Sequence, residues 1–249
     1  MPHVRLYQGD TLKILPTLLN EQVDLVLTDP PFAIYDDMAG RRKSNPEKYK
    51  RNYEDTWDYF KTDTDFEIFT MRWLDYIKVM LKPGGYIATY FDKYKINLVI
   101  DHLLRYDFKP VGIIADIVQN PVPPPPSVII NDTWAPIIVM RKAGGTINRK
   151  KPIKDYILRY ILNGEERTEH PTQKPVSVFY NLISTLTQEG DTVLDPFLGS
   201  GTTMVASIKA NRNCIGIERN EKYIDIIKQR VQWGRGIDVS YEFVDLSHL

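Results

Sequence analysis

Along this chain, apolar runs of four to eight residues alternate with segments whose apolar residues recur at helical spacing. That alternation narrows the fold more than any other feature. Strands joined by amphipathic helices build an α/β protein with a doubly wound, mainly parallel sheet. Strands are expected at Val4–Tyr7, Val23–Thr28, Tyr86–Phe91, Val111–Val118, Ala135–Met140, Thr192–Asp195 and Asn213–Glu218. Val23–Thr28 is apolar at nearly every position, as in a strand covered on both faces. It stops before Pro30 and Pro31, which cannot continue a hydrogen-bond ladder. Helices are expected after Asp10, over 64–81, 94–106 and 176–187, from a glycine-rich turn to about 211, and over 220–232. In the second of these, Thr64 and Glu67 have capping-box spacing and Pro83-Gly84-Gly85 marks the stop. The 249 residues suit one domain, 1–249, carrying irregular stretches at 33–60 and 143–169.

Several classes are disfavoured by composition. One cysteine, Cys214, precludes an internal disulfide and points to a reducing compartment. It falls inside an expected strand and reads as a core residue. The opening MPHVRLYQGD lacks a basic region followed by an apolar run, and no apolar run is long enough to span a bilayer. The expected location is the cytoplasm, with no membrane partner. Four histidines show no ligand spacing, so no metal is expected. Net charge is zero, with two basic stretches. Arg41-Arg42-Lys43 is followed by Lys48, Lys50 and Arg51, and Arg141, Lys142, Arg149, Lys150, Lys151, Lys154 and Arg159 are opposed only by Asp155. Taken alone, each reads as a solvated loop. Pro121 and Pro123–Pro126 form a stiff segment, either a ligand for a proline-reading domain or a rigid loop beside a cleft.

Four acids, Asp10, Asp29, Asp195 and Glu218, follow expected strands. Ligands of doubly wound sheets bind beyond the carboxyl ends of the strands, although acids also end strands as turn and cap residues. The sequence after Asp195 favours a ligand. Gly199 and Gly201 let backbone approach closely, and the loop opens a helix whose first amides can bind a carboxylate. Glu218 follows the glycines by about 20 residues, the spacing at which an acid reaches ribose hydroxyls. The loop lacks the Gly-Lys-Ser/Thr ending of a phosphate loop, and Met204 stands where a third dinucleotide-binding glycine would fall. S-adenosylmethionine, which needs ribose and carboxylate contacts but no phosphate cradle, fits this pattern.

Asp29-Pro30-Pro31-Phe32 suits chemistry on an exocyclic base amine. A carboxylate and a rigidly held Pro30 carbonyl can accept the amine's two N–H bonds, which frees its lone pair and stabilises the positive charge that develops. Phe32 offers a face on which an extruded base can stack. Equally, the string reads as a proline-terminated strand followed by a core phenylalanine.

Asp29-Pro30-Pro31-Phe32, His170-Pro171-Thr172-Gln173-Lys174-Pro175 and Asp195-Pro196-Phe197-Leu198-Gly199-Ser200-Gly201-Thr202-Thr203 together resemble motifs IV, X and I of the DNA amino-methyltransferases. Their order is that of the β class, a circular permutation in which the catalytic motif precedes the cofactor motif. The resemblance covers most of the chain outside 33–60 and 143–169. It implies a Rossmann-like fold dependent on S-adenosylmethionine, with the first strand beside the one ending at Glu218. Asp10 would lie near the cofactor adenine, Glu218 on the ribose, and His170, Thr172, Lys174 and Pro175 by the methionine part. Asp195, Phe197, Gly199, Ser200, Gly201, Thr202 and Thr203 complete the cofactor site, and Asp29, Pro30, Pro31 and Phe32 the catalytic one. The stretch 143–169 corresponds to the target-recognition region, so Arg149, Lys150 and Lys151 become phosphate contacts. Arg41, Arg42 and Lys43 would close over the flipped base. DNA, a homodimer and a cognate restriction endonuclease are the implied partners.

The implied activity is direct methyl transfer to N6 of adenine, favoured because the Pro-Pro motif is led by aspartate. N4 of cytosine is the alternative base. RNA or a glutamine amide is a more distant substrate. A catalytically inactive DNA-binding partner subunit is the rival from another class, and it would be expected to have lost a motif acid or glycine. Phe32 departs from the commoner tyrosine, and a short recognition stretch and zero net charge are unusual for a DNA binder.

Overall fold

The computed structural model describes residues 1–32, 60, 62–126, 129–145, 152–232 and 239–249. The loop expected at 33–60, apart from its last residue, lies outside them, as do Arg41, Arg42, Lys43, Arg149, Lys150 and Lys151. Nine strands form one sheet: β1 His3–Gln8, β2 Val23–Thr28, β3 Leu81–Tyr90, β4 Phe108–Val118, β5 Trp134–Lys142, β6 Tyr156–Arg159, β7 Thr192–Asp195, β8 Asn213–Glu218 and β9 Ser240–Asp245. Their spatial order is β6-β4-β5-β3-β2-β7-β8-β1-β9. Only β5 runs against its neighbours, β3 and β4. The first strand lies parallel to β8, as expected, with Gln8 opposite Glu218.

Alternation along the strands sends side chains to two faces. One face buries Val26, Ile87, Ile138 and Ile215 against α1 (Thr11–Ile14), α2 (Asp63–Met80) and α3 (Ile96–Leu104). The other buries Leu25, Leu27, Tyr90, Ile137 and Val193 against α4 (Val176–Leu186) and α5 (Thr202–Lys209). Beside it, Val4, Leu6 and Cys214 pack against α5 and α6 (Glu221–Gln232) through Met204, Ile224 and Ile227. Trp73 and Phe66, both fully buried, anchor α2. Among the described residues, no helix is long and apolar enough to cross a membrane.

Three local expectations are corrected. The capping box of α2 is Thr62 with Asp65, not Thr64 with Glu67; both reciprocal bonds form there, and the cap lies two residues earlier. Pro83-Gly84-Gly85 does not separate helix from strand. Strand β3 already begins at Leu81 and runs through it, with Gly84 at φ 86°. The stretch 143–169 is not all loop, because Tyr156–Arg159 adds β6 in parallel to β4. Strand β9 lies beyond residue 232, where no element is expected, and pairs in parallel with β1.

Strand β2 leads the chain to β3 on one side, whereas β7, its other neighbour, leads to β8 on the opposite side. The sheet therefore reverses its winding between β2 and β7, and a crevice opens at their carboxyl ends.

Candidate active site

A cleft of about 890 Å³, open to solvent, occupies that crevice. Asp10, Asp29, Asp195 and Glu218 all line it, delivered by β1, β2, β7 and β8, which are consecutive neighbours in the sheet. His170, Thr172, Lys174, Phe197, Gly199, Ser200, Thr202 and Thr203 also line it, as does Pro31. Pro30, Phe32, Pro175 and Gly201 do not. Phe32 is half-buried and meets Phe91 edge-on, with ring centroids 6.3 Å apart.

The β7–α5 loop is held from beneath. Asp195 accepts hydrogen bonds from the Thr28 hydroxyl at 2.7 Å, the Phe197 amide at 3.0 Å and the Thr203 hydroxyl. Burial nevertheless lifts its carboxyl to about 6. Glu218 accepts the Gly199 amide at 2.8 Å and the Asn220 amide at 2.7 Å, one on each oxygen, and burial lifts it to about 7. Asp10 caps α1 through the Leu12 amide at 2.8 Å, so the capping and cleft-lining roles coincide.

The glycines serve the loop as well as any ligand. Gly199 has φ 55°, and a Cβ there would meet His170 Nε2 at 2.9 Å. Gly201 has φ 84°, and a Cβ there would meet Ile227 at 3.0 Å. Gly201 also offers no side chain to cap α5. Burial, with help from Lys174, Arg167 and Arg230, lowers His170 to about 4, leaving a neutral imidazole near pH 7.

Asp29 sits beside this loop. Its Oδ2 pairs with the Lys174 ammonium, while its Oδ1 is buried with no hydrogen-bond partner among the described residues. Burial raises the carboxyl and Lys174 opposes that shift. A buried acceptor left open beside a cleft is costly unless something fills it, and an N–H donor is what a carboxylate oxygen accepts. Lys174 thus meets Asp29 as well as the cleft. The sequence reading missed Arg230 of α6, which donates to the Ser200 carbonyl at 2.7 Å and the Ser200 hydroxyl at 3.0 Å. It also missed Tyr223, whose ring centroid is 4.5 Å from that of His170. Their seven-residue spacing puts both on one face of α6, and an arginine within the apolar period of that helix is the signal that could have found them.

A switch-point cleft with a nucleoside-type acid, a glycine-rich turn and an open buried carboxylate defines a group-transfer enzyme that uses a nucleoside cofactor. The chain belongs to the DNA methylase family N6_N4_Mtase, whose model matches residues 23–229. It is 29% identical to the type II methyltransferase M.HinfI of Haemophilus influenzae, over 90% of this chain and 67% of that protein. The M1.HpyAVI–SAM complex superposes with a TM-score of 0.66 at 26% identity, covering 91% of this chain and 99% of the other. The cytosine-N4-specific PvuII DNA methyltransferase shares the fold, with a TM-score of 0.66 at 18% identity over 99% and 98% of the two chains.

Proposed function

We propose that this DNA methyltransferase modifies N6 of adenine, with Asp29 as the group that engages the reacting amine. The carrying observation is the unfilled Oδ1 of Asp29 at the switch-point cleft. S-adenosylmethionine is the methyl donor and supplies an electrophilic methyl group. Glu218 and Asp10 suit its nucleoside end. His170, Thr172 and the loop Phe197–Thr203 suit its amino-acid end.

The chain's own residues perform the rest. Asp29 Oδ1 and the Pro30 carbonyl accept the two N–H bonds of the amine, turning its lone pair out of conjugation with the ring. Lys174 opposes the effect of burial on Asp29 and so favours the ionised form that can accept. As positive charge develops on the nitrogen, the fixed carboxylate stabilises it, and the surplus proton leaves by way of Asp29 to water. Every motif acid and glycine is present, which favours an active enzyme over an inactive partner subunit. In this reading 143–169, with Arg149, Lys150 and Lys151, contacts the target, and Arg41, Arg42 and Lys43 close over the base. M.HinfI is named a type II methyltransferase, and a cognate restriction endonuclease would give this chain the same setting.

The aspartate that leads the Pro-Pro motif favours adenine. Cytosine N4 is the second reading, favoured by the fold shared with the PvuII enzyme. Incubation with S-adenosylmethionine and unmethylated DNA, followed by digestion and mass spectrometry of the nucleosides, separates them. N6-methyladenine is expected. N4-methylcytosine would overturn the base assignment, and the absence of both products would overturn Asp29 as the amine acceptor of an active enzyme.

A further inference from the structure

Beyond the cleft, a chain of polar side chains crosses the sheet under the catalytic acid. Asp116 of β4 is completely buried. Arg159, the last residue of β6, donates through Nε to both Asp116 oxygens, at 2.7 and 2.8 Å. The Tyr90 hydroxyl reaches past β5 and donates to Asp116 Oδ2 at 2.9 Å. Tyr90 is itself buried, and Phe179 of α4 stacks against it at 6.0 Å and 14°. The Lys174 ammonium lies 4.5 Å from the centroid of the Tyr90 ring while it pairs with Asp29. A charged residue inside the apolar run of β4, held by an arginine from the sheet edge, is expensive to bury. Packing alone gives no reason to keep it.

We propose that Arg159 and Asp116 are positioning residues that, through Tyr90, hold the Lys174–Asp29 pair and make its charge state depend on how β6 is seated. The inference rests on Asp29 being the amine acceptor. Strand β6 belongs to 143–169, the stretch assigned to target recognition, so the arrangement joins that region to the reacting centre.

Two cations and two anions make up the cluster: Lys174, Arg159, Asp29 and Asp116. The titratable neighbours that face it are Tyr90 from β3, Asp195 from β7 and His170 from the segment before α4. Asp116 raises the Asp29 carboxyl and Arg159 lowers it, behind the larger effects of burial and Lys174. Neutralising one member therefore leaves the Lys174–Asp29 pair beside an uncompensated charge. Removing the arginine charge favours uptake of a proton, whereas removing the aspartate charge favours its release.

The experiment is the single-turnover rate of methyl transfer against pH, with S-adenosylmethionine saturating, in the full-length protein. Arg159→Gln keeps a donor to Asp116 and should move the acidic limb to higher pH. Asp116→Asn should move it down, and the double variant should return it toward wild type. Arg159→Lys, which keeps the charge, should leave the limb in place. Should Arg159→Gln not fold, the downward shift in Asp116→Asn carries the same test. Profiles that drop uniformly without moving would make the cluster merely structural and overturn the inference. Asp29→Asn is the control. Its inactivity beside unmoved limbs would overturn the relay alone, and its activity would remove the Asp29 reading and the relay with it.

Discussion

Replacing Glu218 by glutamine tests both the nucleoside-binding role and the electrostatics of the cleft. Burial lifts this carboxyl from 4.5 to about 7, against the opposing backbone donors of Asn220, Gly199 and Arg219. Between those values the native state holds a proton that the unfolded chain has released. Stability from this group is therefore full below the unfolded value and is lost as pH rises through the folded one. Over roughly 2.5 pH units, at about 1.36 kcal/mol per unit, the loss is about 3 kcal/mol. Water in the open cleft makes that an upper figure. Glutamine does not titrate. Urea unfolding of the ligand-free proteins between pH 4.5 and 8 should therefore show wild type losing up to about 3 kcal/mol relative to Glu218→Gln. The contributions of Asp29 and Asp195 are common to both proteins and cancel to first order. Parallel stability curves would refute the raised carboxyl.

The same variant reads out binding. In the proposed role, an ionised Glu218 would accept ribose hydroxyls while it holds the Gly199 and Asn220 amides. Hydrogen bonds to a charged acceptor are worth about 1.5–3 kcal/mol, so cofactor affinity should fall about tenfold to a hundredfold. Wild-type affinity should also weaken as pH drops below about 7, while that of Glu218→Gln stays flat. Calorimetry showing equal affinity for the two proteins would remove Glu218 from the ribose.

Asp29→Ala should retain cofactor binding and lose at least about a hundredfold in single-turnover rate; normal turnover would take Asp29 out of the chemistry. Lys174→Met leaves Asp29 buried without its cation, which raises the carboxyl further. Its activity should be low at neutral pH and recover in part as pH rises, and a flat profile would contradict the ion pair. Gly199→Ala combines a positive φ with a Cβ 2.9 Å from His170, so equilibrium dialysis should show weakened cofactor binding. Burial raises the Cys214 thiol, so iodoacetamide should label it only in urea and leave native activity unchanged.

Strands β7 and β8 were legible to the residue because a short apolar run ends on an acid followed by a turn. The helices were legible through their period, and α4 begins at Val176 as expected, but the cap of α2 was not legible. Thr62-Asp65 and Thr64-Glu67 share the same spacing, and the reciprocal bonds form at the earlier pair. Strands β6 and β9 escaped because both lie at sheet edges, where one neighbour is missing and the run need not be apolar; most of β9 is exposed or half-buried. The four acids were legible as strand ends, yet their convergence depends on strand order, which local pattern does not encode. Asp116 left a signal that went unused, a lone charge in the apolar run of β4. The partner that makes it affordable, Arg159, comes from a strand with no clear pattern.

Strand order also explains why the permuted chain order is harmless to the chemistry. The proposed catalytic acid, Asp29, follows β2 and the proposed cofactor loop follows β7, two adjacent strands whose cleft-forming ends are far apart in sequence. Their junction is held by Thr28 donating to Asp195 across 167 positions and by Lys174 pairing with Asp29 across 145. Neither contact depends on which half of the chain comes first, because β2 and β7 are parallel and both loops leave the same edge of the sheet. What the order does change is where the chain crosses between the halves. Here it crosses after β5, so the stretch assigned to target recognition leaves the sheet at Lys142, is pinned within itself at Arg159 of β6 and runs on to His170–Pro175. The segment that would meet the DNA is thereby fixed at an interior point to the polar chain of Asp116 and Tyr90, and at its C-terminal end it joins the residues that include Lys174, the partner of Asp29.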